Sequence, residues 1–204
     1  KMIIPNVRRR NLRLSAYDYA AVGTYFVTVC VQSRSCILGG IQDGGVQLSP
    51  VGEMVEMHLG MVADRYVGVE LDMHVLMPNH VHALINIGWS ADQSTRNVAG
   101  NESRHGGLQL RGDGVGGEDA VAEDRPSLYR VMQWFKSATT NEYIRRVTAD
   151  GWPRFPGKLW QPNYYEHVVR DQFDLDRIRT YIVNNPGKWE EDTEYSSVCR
   201  GFGS

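Results

Sequence analysis

The sequence predicts an α+β fold, an antiparallel sheet with helices packed against it, and three observations carry that expectation. Short β-rich runs recur between glycine, proline and asparagine punctuation. Longer segments keep their apolar residues at helical spacing. The two kinds of segment follow one another as β-α-β-β-α-β-α, an order that favours antiparallel pairing with the helices laid on the sheet.

The elements follow in chain order. Tyr25-Phe26-Val27-Thr28-Val29-Cys30-Val31 is β-rich and reads as the first strand, followed by a glycine-rich turn region through Gly45. Ser49-Pro50 starts a helix, with serine at the N-cap and proline at the first helical position, and Met54, Val55, Leu59 and Val62 carry it to about Asp64. Residues 67–77 form a second strand and 80–87 a third, with Pro78-Asn79 between them. A long helix opens at Pro126-Ser127-Leu128 and keeps Leu128, Val131, Met132, Phe135 and Tyr143 in register to about Val147. Residues 165–170 are a short strand. The last helix runs over 171–185 on Phe173, Leu175, Ile178, Tyr181 and Ile182, and Pro186-Gly187 stops it. This order is that of a ferredoxin-like arrangement.

Composition bounds the function classes. The chain has 204 residues, 42% hydrophobic and 23% charged, as expected of one globular domain able to bury its own core. No apolar run approaches the roughly 20 residues of a bilayer span, and no apolar stretch follows the basic N-terminal arm at 1–14, so neither a membrane protein nor a secretory signal is expected. Three cysteines, without a CxxC pair, suit a reducing cytoplasm better than a disulfide scaffold. The formal net charge of −2 argues against a bulk electrostatic nucleic-acid binder while leaving room for a local groove. Residues 88–124 hold seven acids against three arginines and eight of the 21 glycines, with no apolar periodicity. They read as an acidic insertion within a single domain spanning 1–204, because so polar a segment buries too little apolar surface to offset its ordering entropy.

The strongest chemical signal is His80-Val81-His82. Residues i and i+2 of a strand share a face, so the two imidazoles project side by side while Val81 packs behind them, forming a platform for a metal ion. His74, on the preceding strand, could supply a neighbour. There is no cysteine cluster and no HExxH, which argues against a zinc protease. The last helix carries Tyr181 and Asn185, i and i+4, on one face. The Asn185 amide oxygen is a hard donor suited to Mg²⁺ or Mn²⁺. By spacing alone, Tyr181 reads first as a core aromatic.

Three segments together carry a resemblance: His80-Val81-His82; Leu159-Trp160-Gln161-Pro162-Asn163-Tyr164-Tyr165-Glu166-His167-Val168-Val169-Arg170; and Tyr181-Ile182-Val183-Asn184-Asn185-Pro186. In this order and spacing the chain resembles the single-tyrosine HUH transposases, closest to the REP-associated tyrosine transposase branch, over residues 25–189 without the insertion. The resemblance implies the HUH endonuclease fold and a single-strand DNA nickase and strand transferase that acts beside palindromes folded as hairpins. It implies Tyr181 as the nucleophile that forms a 5′-phosphotyrosine, with His80, His82 and Asn185 as ligands of one divalent metal, Mg²⁺ or Mn²⁺. The partner it implies is single-stranded DNA with hairpin structure, bound by a monomer or homodimer in the cytoplasm. The long acidic insertion departs from the family pattern.

DNA contacts must come from a patch, since the total charge is negative. Arg8, Arg9, Arg10 and Arg13 offer a basic arm; Lys136, Arg145, Arg146, Arg170, Arg177 and Arg179 offer a second set. Trp134, Trp160, Tyr164 and Tyr165 could stack on unpaired bases. Tyr143, Tyr164 and Tyr165 are the rival nucleophiles. The alternative function is a catalytically silent nucleic-acid-binding domain of the same ferredoxin-like fold.

Overall fold

A computed structural model describes residues 22–88, 126–197 and 199. The arm at 1–14, with Arg8, Arg9 and Arg10, and the insertion apart from Gly88 lie outside them. The elements are β1 (Gly23–Cys30), β2 (Gly39–Gln42), β3 (Gly45–Leu48), α1 (Pro50–Arg65), β4 (Val69–Met77), β5 (His80–Ile87), α2 (Leu128–Ala149), β6 (Tyr165–Val168) and α3 (Gln172–Asn184). Short 3-10 turns cover Gln32–Arg34 and Pro186–Glu191. The expected α+β class is the observed one.

The main sheet has the order β4-β5-β1-β6, and every neighbouring pair is antiparallel. It follows that β1 and β4, joined through α1, run parallel with β5 between them. Likewise β5 and β6, joined through α2, run parallel with β1 between them. These two interlocked split βαβ units are the ferredoxin-like topology. The turn region expected before Gly45 is instead a second, two-stranded sheet, β2–β3, closed by Asp43-Gly44 with φ of 51° and 74°. Both residues are left-handed, as a two-residue hairpin turn of matching twist requires.

Side-chain parity sorts the sheet into two faces. On one, Tyr25, Val27 and Val29 of β1 and Val81, Ala83 and Ile85 of β5 form the main core with α1 and α2. Helix α1 starts at Ser49, whose hydroxyl accepts from Gly52 N at 3.1 Å, and Pro50 follows. Gly52 is needed there, since a Cβ would lie 2.0 Å from the Leu38 carbonyl oxygen. Helix α2 is capped by Ser127 and buries Leu128, Val131, Met132, Phe135 and Tyr143 as one stripe.

The opposite face carries Thr28 and Phe26 of β1 beside His82 and Leu84 of β5. Helix α3 lies over it, capped by Asp171 and packing Ile178 and Ile182 against Phe26 and Leu84. Phe173, expected on the apolar stripe of α3, is instead 80% exposed in the first turn, ahead of the part of the helix that meets the sheet. A bulge at Leu71/Met73 shifts the parity of β4, so Met73, Val75 and Met77 join this face opposite Leu84, His82 and His80. Arg179 of α3 grips Asp72 at the bulge with two nitrogen–oxygen contacts of 3.2 and 2.6 Å. The segment after α3 closes over the histidine end of the sheet, with Trp189 and Cys199 packed on Met77 and Cys36. Cys36 and Cys199 form a disulfide across 163 residues, with Cα atoms 5.4 Å apart. The pairing differs from the reading that the cysteines suit a reducing cytoplasm better than a disulfide scaffold; Cys30 is free.

Candidate active site

Strand β5 presents His80 and His82 on the α3 face, both almost fully buried. Helix α3 and the segment after it roof them over. Their Nε2 atoms are 2.9 Å apart. Each opposite ring nitrogen has a partner: Asn79 Oδ1 lies 2.9 Å from His80 Nδ1, and Thr28 Oγ1 lies 2.8 Å from His82 Nδ1. Phe26 stacks on His82 with centroids 5.2 Å apart, and Trp189 lies 5.9 Å from His80, so both rings are held on their faces as well as at their nitrogens.

Asp192, from the segment after α3, completes the cluster. Its Oδ2 lies 3.7 Å from His82 Nε2 and 4.0 Å from His80 Nε2, while Oδ1 accepts from Glu194 N at 2.6 Å. The aim of the carboxylate is therefore set by its own turn. Tyr181 O–H donates to Asp192 Oδ2 at 3.0 Å and lies 3.2 Å from His82 Nε2. Asn185 Nδ2 donates to the same Oδ2 at 2.8 Å, and Asn185 Oδ1 is buried without a hydrogen-bond partner among the described residues. Tyr181 and Asn185 meet at one oxygen because one turn of helix separates them.

The electrostatics favour a cation at this point. Burial, and then His82, hold the His80 imidazole well below its usual pKa, so it is a neutral donor. Burial alone would raise the Asp192 carboxyl, but its interactions with His82, His80 and Asn185 hold it well below the carboxylate range. Burial first, then the Asp192 charge and hydrogen bond, push the Tyr181 phenol above its ordinary value. The ligand atoms of His80, His82 and Asp192 lie within 4.8 Å of one another, and this set could hold a metal ion. Two imidazole nitrogens 2.9 Å apart match two metal–nitrogen bonds of about 2.1 Å converging on one ion. The orphaned Asn185 oxygen is a further hard donor beside them.

Two members of this cluster were not anticipated from sequence. Asp192 sits in an acidic stretch without periodicity, so nothing local distinguishes it from Glu190, Glu191 or Glu194. Asn79 carries only a turn signal in the sequence, as part of Pro78-Asn79. In the other direction, His74 does not join the site: it faces α1, 3.6 Å from Glu56, because it lies opposite Ala83 on the other face of the sheet.

The residues expected at DNA are scattered. Trp160 is not available to stack on a base: it is 3% exposed, donates its indole N–H to Thr139 Oγ1 at 2.8 Å and lies against Phe135 in the core. Lys136 Nζ donates to the carbonyls of Gln161 and Pro162 at 2.7 and 2.9 Å, and burial lowers its pKa. Arg145 and Arg146 are paired with Glu142, and Arg177 with Asp174. Arg170 is exposed and Tyr164 half-buried against the main core. Of the rival tyrosines, Tyr143 donates to the Pro153 carbonyl within the core, and Tyr165 stands opposite Thr28, on the strand beyond β1 from His82.

No family model matches the chain. The structure of a REP-associated tyrosine transposase bound to a REP hairpin aligns with 84% of this chain and 71% of its own, at 20% identity and a TM-score of 0.49. An uncharacterized protein of Haemophilus influenzae (strain ATCC 51907 / DSM 11121 / KW20 / Rd) is 32% identical over 192 residues, which are 92% of this chain and 93% of that one. On that identity and coverage, the chain belongs to one family with the Haemophilus influenzae protein.

Proposed function

We propose that the chain is a metal-dependent single-strand DNA nickase and strand transferase acting beside hairpins, with Tyr181 as nucleophile. The observation that carries this reading is the convergence of the Tyr181 hydroxyl, two histidine Nε2 atoms and one carboxylate oxygen in a single buried cluster. Helix α3 and strand β5 are both regular elements, so the nucleophile and the two histidines keep a fixed relation. His80, His82 and Asp192 hold the ion, with Asn185 Oδ1 as the further oxygen donor; when bound, Mg²⁺ or Mn²⁺ supplies Lewis-acid polarisation of the scissile phosphate and offsets the Asp192 charge.

The residues of the chain divide the remaining work. Asp192 Oδ2 accepts the Tyr181 O–H hydrogen bond and orients that oxygen, and the phenol proton passes to water as the oxygen attacks. The Tyr181 oxygen attacks phosphorus, a P–O bond to tyrosine forms as the P–O3′ bond breaks, and the departing 3′ oxygen takes up a proton. The product is a 5′-phosphotyrosine and a free 3′-OH. Attack by a 3′-OH on that phosphotyrosine reverses the exchange and joins strands without an external energy source, since one ester replaces another. Arg170 and Tyr164, together with the Arg8-Arg9-Arg10 arm, supply phosphate and base contacts to the hairpin.

The test uses labelled single-stranded hairpin oligonucleotides with randomised flanks, incubated with Mg²⁺, with Mn²⁺ or with a chelator and resolved on a denaturing gel. A covalent protein–DNA adduct that requires the metal is expected. Hairpin binding without an adduct in either metal would overturn the reading in favour of a catalytically silent nucleic-acid-binding domain.

A further inference from the structure

Asn79 is fully buried in the turn between β4 and β5, and each of its side-chain atoms is committed. Its Nδ2 lies 2.9 Å from the Glu194 carbonyl oxygen and 3.3 Å from the Arg34 carbonyl oxygen. Carbonyl oxygens only accept, so the amide nitrogen must face them and the amide cannot be turned over. The amide oxygen therefore faces His80 Nδ1, 2.9 Å away, and an amide oxygen also only accepts. His80 Nδ1 must carry the proton. A neutral imidazole has one ring N–H, so His80 Nε2, the atom facing His82 and Asp192, keeps its lone pair.

We propose that Asn79 is a positioning residue that locks His80 in the Nδ1–H tautomer, with Nε2 bare and ready to bind a metal before any metal arrives. The proposal rests on the reading of the histidine pair as metal ligands. His82 has no such lock. Its Nδ1 faces the Thr28 hydroxyl, which either donates or accepts, so this ring changes tautomer without losing its partner. The two histidines thus differ: one is fixed, the other adapts. In the metal-free protein the fixed lone pair of His80 also accepts the Nε2–H of His82 across 2.9 Å. The same amide ties the tail to the site, because the Glu194 carbonyl that fixes the amide lies two residues past Asp192.

The turn itself does not need this side chain. The Asn79 carbonyl accepts from Val31 N at 2.9 Å, and the Pro78 carbonyl from Leu38 N at 3.0 Å. Removing the amide therefore leaves the strand connection in place and takes away the acceptor that holds the ring.

The experiment is a long-range ¹⁵N–¹H correlation spectrum of the metal-free protein, ¹⁵N-labelled at histidine, at mildly alkaline pH, with Mn²⁺ titrations alongside. In the unaltered chain His80 is expected to show a protonated Nδ1 and a bare Nε2, the tautomer that a free histidine side chain disfavours in water. Asn79→Ala should release it to a mixture and weaken Mn²⁺ binding about 10–100-fold, the usual effect of losing such a partner. Protonation at Nε2 in the unaltered chain, or an unchanged tautomer in Asn79→Ala, would overturn the proposal. If Asn79→Ala does not fold, the spectrum of the unaltered chain still decides. A locked His80 in a protein that binds no Mn²⁺ would refute the metal reading and leave the lock standing.

Discussion

Thr28 offers a clean perturbation of the site, because valine copies its shape and removes only the hydroxyl. Thr28 sits opposite His82 across the β1–β5 pair, 7% exposed, with its Oγ1 2.8 Å from a histidine that is 1% exposed. Thr28→Val leaves His82 Nδ1 buried without a partner, a cost of about 1–3 kcal/mol. Valine suits a strand at least as well as threonine and removes a hydroxyl from a buried position, so the net loss should fall at about 1–2 kcal/mol. For a chain of this size that is a melting temperature lower by about 2–8 °C. Loss of an outer partner should also weaken Mn²⁺ binding about 10–100-fold, or about 1.4–2.8 kcal/mol. Thr24→Val is the control. Thr24 is on the same strand and face and donates to Asn86 Oδ1 at 2.8 Å, but it touches neither histidine. It should cost about 0.5–1 kcal/mol and leave Mn²⁺ affinity unchanged. Thermal unfolding and Mn²⁺ titration of both variants provide the comparison. Unaltered Mn²⁺ affinity in Thr28→Val, or equal losses in both, would refute the reasoning.

Two further outcomes follow from the same geometry. His80→Ala or His82→Ala should abolish cleavage while hairpin binding stays nearly intact, because the pair serves the metal and DNA contacts arise elsewhere; parallel loss of both, in a folded variant compared by gel shift and nicking, would count against that division. Trp160→Phe should lower stability by about 1–3 kcal/mol through the lost bond to Thr139 and the space left by the smaller ring, with hairpin affinity unchanged, and a weakened gel shift would show that the indole reaches DNA after all.

What was legible in the sequence was what local pattern encodes. The apolar stripe Leu128, Val131, Met132, Phe135 and Tyr143 and the Ser49-Pro50 start gave the helices, and the His80-Val81-His82 alternation put both imidazoles on one face. The order of these elements sufficed for the sheet topology. The β2–β3 hairpin was missed although Asp43-Gly44 is a strong two-residue turn signal, because four-residue strands rich in glycine carry little β pattern of their own. His74 stays outside the site because a one-residue bulge reverses strand parity, which leaves no mark in composition. Trp160 could not be placed from sequence because an indole that ends in a polar N–H suits a core and a base-stacking surface equally well. Asp192 and the Cys36–Cys199 disulfide depend on where the segment after α3 returns, and contacts across so many residues have no local signature. Asn79 is the opposite case: it was in view as a turn residue, but its hydrogen bonds to Glu194, Arg34 and His80 needed the tail in place to be seen.

The most direct test of the central claim is the identity of the residue that becomes joined to DNA. Phenylalanine at 181 keeps the ring that packs on Phe26 and His82 and removes only the hydroxyl that meets Asp192. The adduct formed on a labelled hairpin oligonucleotide with Mn²⁺ should be digested and mapped, beside Tyr181→Phe and single phenylalanine variants of Tyr143, Tyr164 and Tyr165. The account predicts a phosphotyrosine at Tyr181, retained in the other three variants and absent from Tyr181→Phe, which should still bind Mn²⁺ and the hairpin. An adduct mapped to another residue, or one that persists in Tyr181→Phe, would contradict it.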